Sequence, residues 1–354
     1  MVCFFNAKMA KKKSAKKSPK KISRKKETYS SPAVETAPAP QAETSQNPGV
    51  WKRAGLVLTG LILILAGVYF FYPKALLGLM YQVYEFRSGV SEKTADVEGY
   101  RTGYFEGGRG ETLVLLHGFG DSRTAFLQSS KYLTDRYHVI MPDLPGFGDS
   151  PHDPERNYGI HSQVVFLHKF LEKIGVKEFY LGGNSMGGHI SVAYTLQYPR
   201  EVKALILVAA AGLRVHDPVP YNNVLEKIQT AADFEKMLDK TFVKKPFIPA
   251  PFRAYLMEKS GLDFDWQNHI RSQIRSGGDY ILNGRAAGIR VPTLVLYGDH
   301  DQIVEPAVGK LYAKLIRNSK EVIYENCGHA PQYEEPERTA KSIRDFLEQL
   351  PLRR

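Results

Sequence analysis

The sequence predicts an α/β fold: a mostly parallel sheet flanked by helices, with an inserted helical lid and one transmembrane helix ahead of it. Three observations predict it. From about Asp96 onward, short apolar strand-like runs alternate with helical patterns, the rhythm of a parallel sheet covered by helices. That rhythm breaks over residues 213–290. Upstream, residues 54–72 form an apolar run without a single charge.

Residues 1–50 come first. They hold a lysine-rich block at 11–26 and a stretch rich in Pro, Ala, Ser and Thr at 28–49. Neither can bury apolar surface, so both read as disordered. The formal charge of +11 belongs to this end of the chain. The first 53 residues carry 13 Lys or Arg against 3 Glu, and the rest is nearly balanced, 35 basic against 34 acidic. Beside a membrane span, such a tail suits anionic lipid or topology signalling better than nucleic acid, and no nucleic-acid partner is expected.

The anchor is expected over residues 51–73. A run of about 19 apolar residues is long enough as a helix to cross a hydrocarbon core of roughly 30 Å. Trp51 marks one edge, and Tyr69, Phe70, Phe71 and Tyr72 mark the other, as interfacial aromatics do. A cleaved signal peptide would need a far shorter basic region and a small-residue cleavage site, whereas the run ends in Tyr72-Pro73-Lys74. The lysine block precedes the span, so the positive-inside rule puts the N-terminus in the cytoplasm and the body on the far side. Residues 74–95 form a juxtamembrane segment. Its apolar part, 75–86, reads equally as an interfacial helix or as a helix packed on the body.

The body divides into a first part at 96–212, the lid at 213–290 and a second part at 291–354. Strands are expected at 112–116, 137–141, 179–181, 204–208, 293–297 and 321–324, with helices such as 161–174 and 189–198 between them. The lid holds helical stretches and the proline-rich turn 245–251. Its Phe242, Phe247, Ile248, Phe252, Tyr255 and Trp266 supply apolar surface. Of these, Phe242, Phe247, Phe252 and Trp266 are the candidate substrate-binding residues, with ordinary lid core as the competing role.

Chemistry enters at Gly183-Asn184-Ser185-Met186-Gly187, which matches G-x-S-x-G. It follows a strand and opens a helix, the context that a nucleophile elbow requires. A serine hydroxyl needs a base to take its proton. His329, in Asn326-Cys327-Gly328-His329, follows the last strand and comes last in the chain, as Ser…Asp…His order demands. Between them, Tyr297-Gly298-Asp299-His300-Asp301 offers two acids. Asp301 is favoured over Asp299, because the acid commonly falls three residues after that glycine in this fold. An oxyanion would meet the backbone N–H of Met186 and, in the loop after His117-Gly118, that of Phe119. His117 and Asp143 read as structural. The basic residues Lys244, Lys245 and Arg253 are available to a charged head group.

The sequence has no P-loop, dinucleotide fingerprint or zinc motif, so no cofactor and no metal are expected. Its two cysteines, Cys3 and Cys327, form neither a disulfide framework nor a metal cluster.

Taken together, these motifs resemble the membrane-anchored monoacylglycerol lipases of the α/β-hydrolase superfamily and related bacterial lipases and esterases. The resemblance runs from about Phe71 to Leu350. It rests on the anchor, His117-Gly118-Phe119, Ser185-Met186-Gly187-Gly188, residues 297–301, Glu325-Asn326-Cys327-Gly328-His329 and the segment 335–341. It implies an α/β-hydrolase fold and hydrolysis of a glycerolipid-type ester, with the triad carried by Ser185, Asp301 and His329. Two other readings remain. Carbon–carbon bond hydrolases of ring-cleavage products also carry Gly-Asn-Ser-x-Gly-Gly, but usually have Gly-Pro-Gly after His-Gly and Trp after the catalytic His. Here Phe119-Gly120-Asp121-Ser122 and Ala330 stand at those places. A catalytically inert membrane-bound scaffold usually loses part of the triad, and all three members are present here.

Overall fold

The computed structural model of the chain describes residues 48–215, 226–277 and 281–350. The expected disordered tail lies outside the described residues except for its last three, as do parts of the expected lid. The chain divides into two units, one reaching to Phe70 and the other running on from Phe71. The first contains helix α1 (Pro48–Phe71) apart from its last residue. Its stretch Lys52–Phe71 runs 20 residues at a mean hydropathy of 2.4. At about 1.5 Å per residue that is roughly 30 Å, the thickness of a bilayer core. Leu56, Leu63 and Phe70 are exposed along it. The helix is long and apolar enough to be a membrane anchor.

The second unit is built on eight strands: β1 (Val90–Val97), β2 (Tyr100–Gly108), β3 (Glu111–Leu116), β4 (Tyr137–Pro142), β5 (Phe179–Asn184), β6 (Val202–Val208), β7 (Thr293–Gly298) and β8 (Ser319–Tyr324). They lie in the order β1-β2-β4-β3-β5-β6-β7-β8. The β1/β2 and β2/β4 pairs are antiparallel. Every pair from β4/β3 to β7/β8 is parallel. The parallel strands therefore end on one side of the sheet. The order reverses at β3, which has β4 on one flank and β5 on the other. Crevices for ligands open at such a switch point, beyond the carboxyl ends of the strands.

The strands expected from the sequence correspond to β3 through β8, and the fold is the predicted one. The sheet, however, begins at Val90, inside the segment expected to be juxtamembrane. β1 escapes a hydrophobicity reading because it is an edge strand whose residues Ser91 to Thr94 are all exposed. Polar and charged side chains there guard an unpaired edge.

Helices follow in chain order: α2 (Pro73–Ser88), α3 (Leu127–Ser130), α4 (Ile160–Lys173), α5 (Met186–Gln197), α6 (Ala231–Thr241), α7 (Ala250–Leu262), α8 (Phe264–Ser276), α9 (Pro306–Leu315), α10 (Pro331–Glu334) and α11 (Pro336–Leu347). Because side chains alternate along a strand, β3 feeds two cores. Val114 and Leu116 join the cluster beneath α4, α5 and α9. Leu113 and Leu115 join the cluster beneath α2, α3 and α11. Between β6 and β7 the described chain forms α6, α7 and α8, an insertion in the sheet. A capping box starts α6, with the Thr230 hydroxyl on the N–H of Asp233 and the Asp233 carboxylate on the N–H of Thr230.

Helix α2 starts at Pro73 and ends on Gly89, whose φ of 64° closes the last turn at no Cβ penalty. It packs on the body. Leu77 is buried, the Ser88 hydroxyl donates to Leu127 O at 2.8 Å, and Thr134 donates to Ser88 O at 2.7 Å. Its Leu79, Val83 and Phe86, spaced along one face, remain exposed.

Candidate active site

Ser185 stands between β5 and α5 with φ 54° and ψ −115°, a left-handed conformation for a residue with a Cβ. Such backbone costs on the order of 1–3 kcal/mol and persists only where its surroundings over-determine it. Here they do. The Ser185 N–H donates to Val208 O, and its carbonyl accepts the N–H groups of His189 and Ala211, all at 3.0 Å. The turn leaves no room for neighbouring side chains. A Cβ on Gly183 would lie 2.3 Å from the backbone of Gly187, and one on Gly187 would lie 2.4 Å from Leu116 O. Those two contacts are the physical content of the glycines in G-x-S-x-G.

His329 follows β8. Its Nδ1 lies 2.8 Å from Asp301 Oδ2, and both side chains are buried. Asp301 Oδ1 accepts the N–H groups of Ile303 and Val304 at 2.8 and 2.9 Å, which pins the carboxylate. With Nδ1 donating to Asp301, the ring's lone pair is on Nε2. Asp299 is the partner of His300 Nδ1 instead, at 2.6 Å, and is half-exposed. Asn184 ties this loop to the elbow by donating from Nδ2 to Val208 O and to His329 O, at 3.1 and 3.2 Å.

The loop after β3 completes the arrangement. A Cβ on Gly118 would lie 3.4 Å from that of Ser185, so this backbone runs beside the serine. Phe119 follows. Met186 opens α5, where the first N–H groups of a helix have no intrahelical acceptor. His117 holds the loop in place. Its Nε2 accepts the N–H of Leu144 at 3.0 Å, which leaves the proton on Nδ1, and Nδ1 contacts Gly118 O at 2.7 Å. Burial pushes its pKa down to about 4, so the ring stays neutral. Asp143 is structural as well. It forms a buried ion pair with Arg123 and accepts the N–H groups of Arg123 and Asp149 at 2.7 and 3.1 Å. Arg123 reaches on to Glu92 and Asp149, joining β1 to the loop after β4.

Ser185, His329, Gly118 and Phe119 line one cavity of about 510 Å³. Phe147, Phe242, Tyr255, Leu256 and Trp266 supply apolar wall. Two of the four candidate substrate-binding residues, Phe242 and Trp266, line this cavity. The other two lie elsewhere. Phe247 is 74% exposed, and Phe252 packs against the core cluster under α2. Among the described residues neither lines the cavity. Composition marks a segment as aromatic but does not say which way each ring faces. Lys244, Lys245 and Arg253 also lie outside the lining, where they pair with Glu335, with Asp239 and Glu235, and with Glu235 respectively. Sequence reasoning missed the wall made by α2, with Leu77, Tyr81 and Glu85 in the lining. Nothing in the sequence signals it beyond that helix's apolar content.

The family model for the alpha/beta hydrolase fold matches residues 111–336. Lipase 1 of Psychrobacter immobilis is 35% identical over 258 residues, covering 69% of this chain and 81% of its own. A monoacylglycerol lipase of Mus musculus is 29% identical over 321 residues, covering 83% and 93%. Among solved structures, a membrane phospholipase A described as a bacterial virulence factor superposes with a TM-score of 0.74. It is 36% identical and covers 84% of this chain and 98% of its own.

The neutral state of His117 has a consequence for pH. Its folded pKa of about 4 lies below the ordinary 6.5, so the unfolded chain takes up a proton first as pH falls. The stability it contributes is complete above pH ~6.5 and is lost as pH drops toward ~4, on the order of 3 kcal/mol in all. Urea unfolding in detergent at pH 7 and pH 4.5 reads it. The acid-induced loss should be about 2 kcal/mol smaller in His117→Gln than in the parent. Equal losses would mean that His117 is not held neutral.

Proposed function

This chain belongs to the alpha/beta hydrolase fold family, and from that premise we propose that it hydrolyses monoacylglycerols through an acyl-enzyme on Ser185. It is a carboxylic ester hydrolase of lipids, as its lipase and monoacylglycerol lipase relatives support. The observation that carries the finer reading is the pinned Asp301–His329 hydrogen bond beside Ser185, in a cavity with aromatic walls.

In this reading Ser185 Oγ attacks the ester carbonyl while His329 Nε2 takes its proton. Asp301 holds the imidazole tautomer and stabilises the imidazolium. The N–H groups of Met186 and Phe119 receive the oxyanion. His329 then protonates the departing alcohol, and water, activated by the same base, releases the fatty acid.

Charge around the cavity favours a neutral leaving group. Its described lining carries five basic side chains, Lys74, Arg123, Lys236, Lys240 and Lys259, against seven acidic ones. Lys236 and Lys240 pair with Glu226, and Lys259 pairs with Asp263. Glycerol needs no charged pocket, whereas a phosphate would meet excess negative charge. Lysophospholipid is the second reading, favoured by the likeness to a membrane phospholipase A.

The localisation we propose is single-pass, with α1 across the bilayer, the lysine-rich tail in the cytoplasm and the catalytic body on the far side. The tail then lies near anionic lipid. The exposed Leu79, Val83 and Phe86 of α2 support an interfacial position for that helix, even as its other face packs on the body.

Three outcomes are expected. Ser185→Ala and His329→Ala should each cost on the order of 10⁶ in kcat, and Asp301→Asn roughly 10⁴, with Asp299→Asn mild. Mass spectrometry should detect an acyl group on Ser185, and monoacylglycerols should turn over faster than triacylglycerols or lysophospholipids. Cleavage of a vinylogous diketone without ester turnover would promote the carbon–carbon hydrolase, and failure of a fluorophosphonate to label Ser185 would favour the inert scaffold. Second, Phe242→Ala and Trp266→Ala should shift acyl-chain preference while barely changing turnover of a short acetate. Phe247→Ala should do neither, and equal losses on all chain lengths would reduce these rings to packing. Third, protease added outside sealed cells should digest the body and spare the tail; the opposite pattern reverses the orientation.

A further inference from the structure

One buried carboxylate outside the triad and outside the cavity lining has an unusual set of partners. Glu334, at the end of α10, is 3% exposed. Its Oε1 accepts the N–H of Gly328 at 2.7 Å. Its Oε2 accepts the N–H groups of Val243 and Lys244 at 3.0 and 2.8 Å. Gly328 immediately precedes His329. Val243 and Lys244 immediately follow the cavity-lining Phe242, where the insertion leaves α6.

The same two segments meet elsewhere. The N–H of His329 donates to Thr241 O at 2.8 Å. A Cβ on Gly328 would lie 2.6 Å from Thr241 O and 3.2 Å from Phe242 Cα, so the backbones touch. The loop that carries the base is thus seated on the outgoing end of α6, and Glu334 closes the joint with one oxygen on each side. The chemistry requires a carboxylate. Three backbone N–H donors converge on two oxygens, and Glu or Asp is the side chain with two acceptors and no donor. A buried N–H left unpaired there would be costly, which favours keeping both oxygens as acceptors.

We propose that Glu334 is a positioning residue that couples the insertion to His329, holding the imidazole in register with Ser185 only while residues 241–244 are seated. A displacement of the insertion that opens the cavity would then also move the base, and hydrolysis would be confined to the closed arrangement. This inference rests on the triad reading given above. A misplacement of about 1 Å costs on the order of 10²-fold in rate, which sets the scale of the effect.

The test is Glu334→Gln in the full-length chain. The amide keeps the volume but places an NH₂ against N–H donors on one side of the joint. Steady-state kinetics on a short acetate and a long-chain monoacylglycerol, together with the rate of fluorophosphonate labelling of Ser185, are measured below the melting temperature of each variant. The expected result is a kcat lower by about 10- to 100-fold on both esters, KM within about twofold, and labelling slowed by the same factor. Hydrogen exchange should show residues 241–244 and 327–329 losing protection together. Lys341→Ala, on the exposed side of α11 and outside the cavity lining, should change none of these. If Glu334→Gln melts below the assay temperature, Glu334→Asp, with its shorter carboxylate, is read in the same way. Undiminished kcat on the acetate, a loss confined to KM, or exchange that rises in one segment alone would overturn the proposal. Retained hydrolysis in Ser185→Ala would instead sink the triad reading, whatever Glu334→Gln does.

Discussion

The strained turn at Ser185 is the constraint around which the rest of the molecule is arranged. A residue with a Cβ at φ 54° persists only where its surroundings over-determine it, and here the backbone on either side approaches very closely. Gly183 and Gly187 permit that approach, and Gly187 brings α5 within contact of the end of β3. The strand order follows from the same need. With β5 beside β3 at the centre of the sheet, the serine and the Gly118 backbone come together at the carboxyl ends of two parallel strands.

Around that turn, polar side chains do the fixing while apolar ones make the wall. His117 is held neutral by burial and by accepting the N–H of Leu144, so it clips the Gly118 loop without adding a charge near the serine. Arg123 and Asp143 do carry charge, but as a buried pair with backbone N–H groups on the carboxylate, the form in which buried ions are tolerated. Asp301 is pinned by two N–H groups and so presents one oxygen to His329. The proposed nucleophile, base and acid are each held by backbone hydrogen bonds: Ser185 from Val208 and Ala211, His329 from Thr241, and Asp301 from Ile303 and Val304. This is how a rigid site is made from parts that come from the ends of different strands.

The cavity wall has a further property. Helix α2, which follows α1 after a single residue, contributes Leu77, Tyr81 and Glu85 to the lining and leaves Leu79, Val83 and Phe86 exposed. A segment that reads as a connection in the sequence is therefore part of the cavity wall. The helix thus has apolar area exposed on one face and the cavity on the other.

By itself the sequence determined the class of fold and the apolar helix, and it singled out Ser185 and His329 as candidates. These rest on local signals: strand runs buried on both faces, a long uncharged stretch, a turn only glycines permit, and the order of residues along the chain. It narrowed the acid to Asp299 or Asp301. The choice between them became geometric only when the His329 loop met β7's end, placing Nδ1 2.8 Å from Asp301. Tertiary structure alone decided the rest. β1 is polar because it is an edge, Phe247 and Phe252 face away from the cavity while Phe242 and Trp266 face it, and Glu334 bridges segments about 90 positions apart. Local pattern reports how a residue sits on its own element. Which surface that element then covers is set by packing between distant parts of the chain, and no short stretch of sequence contains it.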